Sequence, residues 1–212
     1  MGRRLFARAA GLCVVAGFVD AVGYTELGGV FAANMTGNTV LLAIAAVRGE
    51  GARTAVYGFT LAAFLVGALV AATLRRTTGK PTVGLGAAVA LLAVAAVTPM
   101  NHTERLAVLA LTMGLQGASI SRFGANSLQT VVVTGTIVRL AEFCVDYVLP
   151  SQRAPEPGAT PLHALAWVAY GAGAAVATAT QHFTHWPLLV AALMLLAVTI
   201  EVTLDQPRER SA

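Results

Sequence analysis

Charge is scarce in this chain: Asp, Glu, Lys and Arg together make up 11% of 212 residues, against about 25% in an ordinary soluble domain. A composition so poor in charge excludes a disordered chain and a coiled coil, both of which need charged positions to stay solvated. Cysteine is equally sparse. The two present, Cys13 and Cys144, both lie inside apolar stretches, which excludes a disulfide scaffold and says nothing of redox compartment. No nucleophile–base pattern, Walker loop, dinucleotide fingerprint or HExxH zinc motif occurs, so the reading is of a protein that is not an enzyme and carries no cofactor or metal.

Apolar residues are what the chain has instead, at 57% with a mean hydropathy of +0.72. They fall into eight blocks, near 5–25, 30–47, 54–74, 82–98, 105–121, 127–149, 162–180 and 187–204. Each is long enough to cross a hydrocarbon core of about 30 Å. The net charge of +4 could suit nucleic acid, but Arg3, Arg4, Arg8, Arg75, Arg76, Lys80, Arg208 and Arg210 flank the blocks. That is where membrane proteins collect basic residues, and no basic stripe with interleaved aromatics is present. The lipid bilayer is therefore the expected partner and nucleic acid is not. The first block has a basic front like a signal peptide but runs beyond signal length and contains Asp20, so it reads as a retained helix. The longest polar interruption, Pro150 to Pro161, holds four prolines and reads as a loop at the membrane surface.

Residues 1–212 read as one integral membrane domain, an all-α polytopic bundle of two related halves. The first repeat covers about 5–98 and the second about 105–204. Gly17-Phe18 through Thr36-Gly37 lies over Gly114-Leu115 through Thr134-Gly135 at offsets of 97 and 98 residues, and Gly67-Ala68 lies over Gly173-Ala174 at 106. Six to eight segments cross, depending on whether the blocks at 30–47 and 127–149 span fully or are broken, re-entrant helices at their Thr-Gly turns. Counting basic residues on the inner side gives nine against four or ten against three, which leaves parallel and inverted repeats equally open.

Polar groups concentrate in those two blocks and opposite them. Asn34, Thr36 and Asn38 surround Gly37, and half-helix ends at membrane depth bind ions or polar solutes where they line a cavity. The competing reading is a small-residue packing face. Asp20 lies deep in the first block with Gly17 and Tyr24 on the same side, where a bare carboxylate costs roughly 2.5 to 3.5 kcal/mol on insertion scales. It must be paired, protonated or wet. Arg139, Glu142 and Asp146 share an arc of about 60° with Gly135 on one helical face, so Arg139 can neutralise Glu142 or reach Asp20. Gln116 lies one residue from Asp20 across the repeat. Tyr147, Tyr170, Trp167 and Trp186 read as interface anchors or packing residues, and His182 with His185 lacks further metal ligands.

At Gly17-Phe18-Val19-Asp20-Ala21-Val22-Gly23-Tyr24 and Met35-Thr36-Gly37-Asn38-Thr39-Val40, the chain resembles the YoaK-like family of bacterial integral membrane proteins, a domain of unknown function. Met113-Gly114-Leu115-Gln116-Gly117-Ala118 and Val133-Thr134-Gly135-Thr136 resemble that family's second set of motifs. The resemblance covers nearly the whole chain and implies a multi-pass protein of the bacterial inner membrane, with no activity to carry over.

These residues together point to a transporter of an unknown small solute or ion, coupled to protons, with its site between the halves. Asp20, Asn34, Thr36, Asn38, Gln116, Thr134, Thr136, Arg139 and Glu142 would line it. Asp20 serves as proton or cation switch, Arg139 as charge partner or anion contact, and the two Thr-Gly turns as the backbone part of the site. The alternative is a non-transporting interaction or scaffold subunit, whose partner is a second copy or another membrane protein.

Overall fold

The computed structural model describes residues 2–120, 122–123, 126–127, 145 and 159–205. Seven helices occur among them: α1 (Gly2–Glu26), α2 (Met35–Val47), α3 (Gly51–Thr78), α4 (Pro81–Val97), α5 (His102–Ser119), α6 (Ala159–Thr180) and α7 (Pro187–Leu204). Arg122–Phe123 pairs antiparallel with Asn126–Ser127, a two-residue ladder that the all-α expectation did not include. The block read at 127–149 lies, apart from Ser127 and Val145, outside the described residues.

Local chemistry sets the helix ends. Pro81 and Pro187 occupy the first position of α4 and α7, where a missing N–H costs nothing. Asn101 and Glu104 form a reciprocal capping box at the start of α5, and Gly79 closes α3 in the left-handed conformation at φ +69°. Helix α6 begins at Ala159, inside the proline-rich stretch read from the sequence as a loop, and Pro161 is accommodated in its first turn. Threonine hydroxyls inside apolar helices bond to carbonyls four residues back, as Thr60 does to Val56 at 2.8 Å and Thr199 to Leu195 at 2.7 Å. These hydroxyls are thereby not offered bare to hydrocarbon.

Four of the described helices are long and apolar enough to cross a membrane: α1, α3, α6 and α7. With 17 residues α4 is shorter, and α2 has only 13. At 1.5 Å per residue α2 extends about 20 Å, well short of a 30 Å core. The block at 30–47, for which a full span and a broken helix were both open, is thus an irregular segment followed by a short helix, with the break before its Thr-Gly turn. On α3, Phe59, Leu65 and Leu69 are more than half exposed, an outward apolar face that suits lipid and not water.

The bundle is organised by close helix pairs. α1 packs chiefly on α6 and α3 on α5, while α4 lies between α5 and α7. A Cβ built on Gly17 would stand 2.0 Å from the Tyr170 carbonyl oxygen, and one on Gly173 would stand 2.0 Å from that of Val14. The second pair repeats this: Gly114 faces the Phe64 carbonyl oxygen at 2.1 Å and Gly67 that of Leu111 at 2.0 Å. Only glycine permits such backbone approach. Between these pairs lies a core of Leu12, Phe18, Leu92, Leu109, Met113 and Leu195, all inaccessible to solvent.

At one face of the bundle the start of α1 is tied to the end of α7. Arg4 Nη1 and Arg8 Nη2 each approach Asp205 at 2.7 Å, and Arg8 Nε approaches Glu201 at 3.2 Å. These two guanidinium groups hold the Asp205 carboxyl below its ordinary range, chiefly through the hydrogen bond from Arg8 and then that from Arg4.

Candidate functional site

Asp20 sits six residues before the end of α1, about 9 Å along the axis, and is 2% exposed. What meets it is created by the way α1 stops. Leu27 N–H bonds to Gly23 and Gly29 N–H to Tyr24, and Gly28 and Gly29, at φ +89° and +79°, turn the chain back on itself. Residues 30–34 then return alongside α1. Gly23 allows the return, since a Cβ there would lie 2.6 Å from the Val30 carbonyl oxygen.

The returning segment has no helix to satisfy its backbone, and side chains do so instead. Asp20 Oδ1 accepts from the N–H groups of Ala33 at 2.5 Å and Asn34 at 3.3 Å. Asn38 of α2, fully buried, accepts from Phe31 N–H at 3.0 Å and donates to the Phe31 carbonyl at 2.6 Å. Asn34 caps α2 by accepting from Gly37 N–H at 3.1 Å. Buried backbone groups left unpaired would each cost about 1 to 3 kcal/mol, so three polar side chains fix a stretch whose other residues are mostly apolar.

The other oxygen of Asp20 reaches across the bundle: Tyr170 of α6 donates its hydroxyl hydrogen to Asp20 Oδ2. The sequence reading assigned Tyr170 to packing or the membrane interface, and its hydroxyl is instead part of the polar network. The contact depends on Gly17 and Gly173, which bring α1 and α6 together at that level. A buried carboxylate needs donors. A hydroxyl-bearing aromatic directly before a glycine-rich stretch was the available signal.

Other candidates are placed differently. Gln116 of α5 is wholly buried and donates from Nε2 to the Leu12 carbonyl of α1 at 2.9 Å, while its Oε1 has no partner among the described residues. Thr36, in the first turn of α2, is exposed and stands apart from the network. Tyr24 is half exposed and stacks on Phe31 with ring centroids 5.1 Å apart, so it covers the returning segment and does not touch the carboxylate. Thr134, Thr136, Arg139 and Glu142 lie outside the described residues. Among the described residues, no group of three or more His, Cys, Asp or Glu could hold a metal ion.

Behind the returning segment, a cleft of about 200 Å³ opens where the end of α1 meets the starts of α3 and α5. Leu27, Gly28 and Val30 form one wall, and Arg53, Tyr57, His102 and Leu106 are among the residues opposite. Asp20 therefore holds in place, through the backbone of residues 33 and 34, a segment whose beginning borders an open space.

A family described as "Protein of unknown function (DUF1275)" matches residues 9–201, from the buried part of α1 to the last turns of α7. The chain belongs to this family. Within the family it is similar to the UPF0700 transmembrane protein YoaK of Bacillus subtilis (strain 168), with 29% identity over 217 residues covering 94% of each chain. No solved structure matches. Family membership and four helices of membrane-spanning length and composition agree: this is a transmembrane protein.

Proposed function

We propose that this DUF1275 protein is a multi-pass carrier of the bacterial inner membrane that moves a small solute or ion in exchange for, or together with, protons. It carries out no catalysis and needs no cofactor. The observation that carries the reading is the double engagement of Asp20, which holds a non-helical segment through one oxygen and α6 through the other. All its described partners are donors. A neutral carboxylic acid presents one O–H donor and weaker acceptors, so a proton arriving at Asp20 reverses the hydrogen bond with Tyr170, whose hydroxyl can also accept, or loosens the hold on the returning segment. That is how a buried acid couples protonation to helix movement.

Two related halves support the same reading. Shifts of 97 residues (Val14 to Leu111, Gly17 to Gly114) and 106 residues (Phe64 to Tyr170, Gly67 to Gly173) convert the glycine contacts of α1 with α6 into those of α5 with α3. On this reading each half lends a helix to the other, and a polar site at their junction suits alternating access. In the second half, Gly117 and Phe64 stand where the first pair has Asp20 and Tyr170, so only one of the two junctions carries the switch.

The test places a cysteine at Ala33 in a Cys13→Ala, Cys144→Ala background and follows labelling by a membrane-impermeant thiol reagent in vesicles of both orientations. Labelling that increases as pH falls, and that Asp20→Asn makes independent of pH, supports the carrier. Ala33 shielded at every pH in both backgrounds, with reconstituted vesicles passing no protons, overturns it. A second reading, a scaffold subunit, is favoured by the fact that Asp20, Asn34 and Asn38 all bond within the chain. A stoichiometric membrane partner recovered with the shielded protein would support that reading.

A further inference from the structure

The cleft at the ends of α1, α3 and α5 is bordered by groups that donate hydrogen bonds, of which Arg53 is paired with Glu50. Tyr57 is only 7% exposed, lines the cleft, and makes no hydrogen bond to any described residue. Its ring is packed in, while its hydroxyl stays reachable from the cleft and can donate to a group that enters. Around it stand His102 and Thr103, the first two residues of α5, and Arg53 in the first turn of α3.

Two helix N-termini therefore converge on this space, and helices of 28 and 18 residues each present partial positive charge there. That of α3 has no side-chain cap: its N-cap residue, Glu50, makes no capping hydrogen bond and pairs instead with Arg53 at 3.3 Å. Glu104, the acidic residue nearest the cleft on α5, is occupied by its capping box. Among the described residues no carboxylate lines the cleft, Glu50 standing beside it through its pair with Arg53. Its base is apolar, with Leu27 at 4% and Leu106 at 1% exposure.

We propose that this cleft binds a small oxyanion with a short apolar tail, a short-chain carboxylate being the simplest case. The carboxylate accepts from Tyr57 and lies between Arg53 and His102, and the tail rests on Leu27 and Leu106. A volume of 200 Å³ equals that of about seven waters in the liquid, which suits a ligand with about that many heavy atoms. The proposal stands independently of transport, because it is read from binding alone.

The test titrates the full-length protein in detergent with butyrate and, separately, with inorganic phosphate, by calorimetry. Butyrate binding that weakens at least fivefold in Tyr57→Phe and at least tenfold in Arg53→Gln, with thermal unfolding of both variants unchanged, is the expected result. Phosphate should bind more weakly than butyrate, having no tail. Phosphatidylglycerol that displaces butyrate identifies a lipid phosphate as the natural occupant of the same oxyanion site, and phosphatidylglycerol without effect leaves the soluble carboxylate. No butyrate binding to the parent protein, or equal binding in all three proteins, overturns the proposal, as does phosphate binding equal to that of butyrate.

Discussion

Tyr170 and Asp20, 150 positions apart in the chain, are joined by a hydrogen bond from the phenol to the carboxylate. The same carboxylate holds the backbone of Ala33 and Asn34. One acidic side chain thus links α1, the segment leading into α2, and α6, and the strength of each link can be separated by substitution.

Removing the phenol alone leaves the backbone donors in place, so Tyr170→Phe should lower stability by about 1 to 2 kcal/mol. Asp20→Ala leaves two buried N–H groups as well as the Tyr170 hydroxyl without an acceptor, and should cost about 3 kcal/mol or more. Thermal unfolding in detergent checks the order. Equal losses from the two variants would mean that the returning segment does not depend on the carboxylate.

Asn38 satisfies both polar groups of the Phe31 peptide, which no apolar residue can do. Asn38→Leu is expected to cost about 2 to 4 kcal/mol and to raise hydrogen exchange at residues 30–34. Thr36→Ala, two residues from Asn38 in the sequence but exposed in the fold, should change neither quantity.

The glycine pairs permit a sharper contrast. Gly17→Ala and Gly114→Ala each place a carbon about 2 Å from a carbonyl oxygen, which forces the paired helices apart and should cost 3 kcal/mol or more. Gly171→Ala meets nothing within 4 Å and should be neutral or stabilising by up to about 1 kcal/mol, since alanine is the better helix former. Unfolding curves of the three variants decide it.

The ion pairs between α1 and α7 make stability depend on pH in a definite sense. Asp205 has its pKa lowered in the folded state by Arg8 and Arg4, so its contribution is present above the ordinary carboxylate range and is lost as pH falls through the depressed value. Arg8→Gln should therefore be less stable than the parent at neutral pH, and the gap should shrink as the medium is acidified below pH about 4. A gap that widens on acidification would contradict this assignment.

Much of the architecture was legible because hydropathy reports burial in lipid directly. The block read at 187–204 coincides with α7, and those at 54–74 and 82–98 locate α3 and α4 to within a few residues. The place where the block at 30–47 breaks was not legible, because Val30, Phe31, Ala32 and Ala33 are as apolar outside a helix as within one. Their conformation is decided by Gly28 and Gly29 before them and the Asn34 cap after them. Asp20 and Asn38 could be singled out as polar groups in apolar surroundings, but their partners could not. Phe31 contributes only its backbone, and Tyr170 is brought near by helix pairing that no local pattern encodes.

That pairing also bears on how the protein is made. Helix α1 leaves the ribosome some 140 residues ahead of α6, which at about 5 to 20 residues per second amounts to roughly 7 to 30 s. Throughout that interval Asp20 is without the phenol that completes its coordination, and the glycine face of α1 is without its mate. The nascent first helix must wait beside the insertion machinery or enter the bilayer with its acid protonated, and it acquires its final neighbour only after residue 170 has been translated.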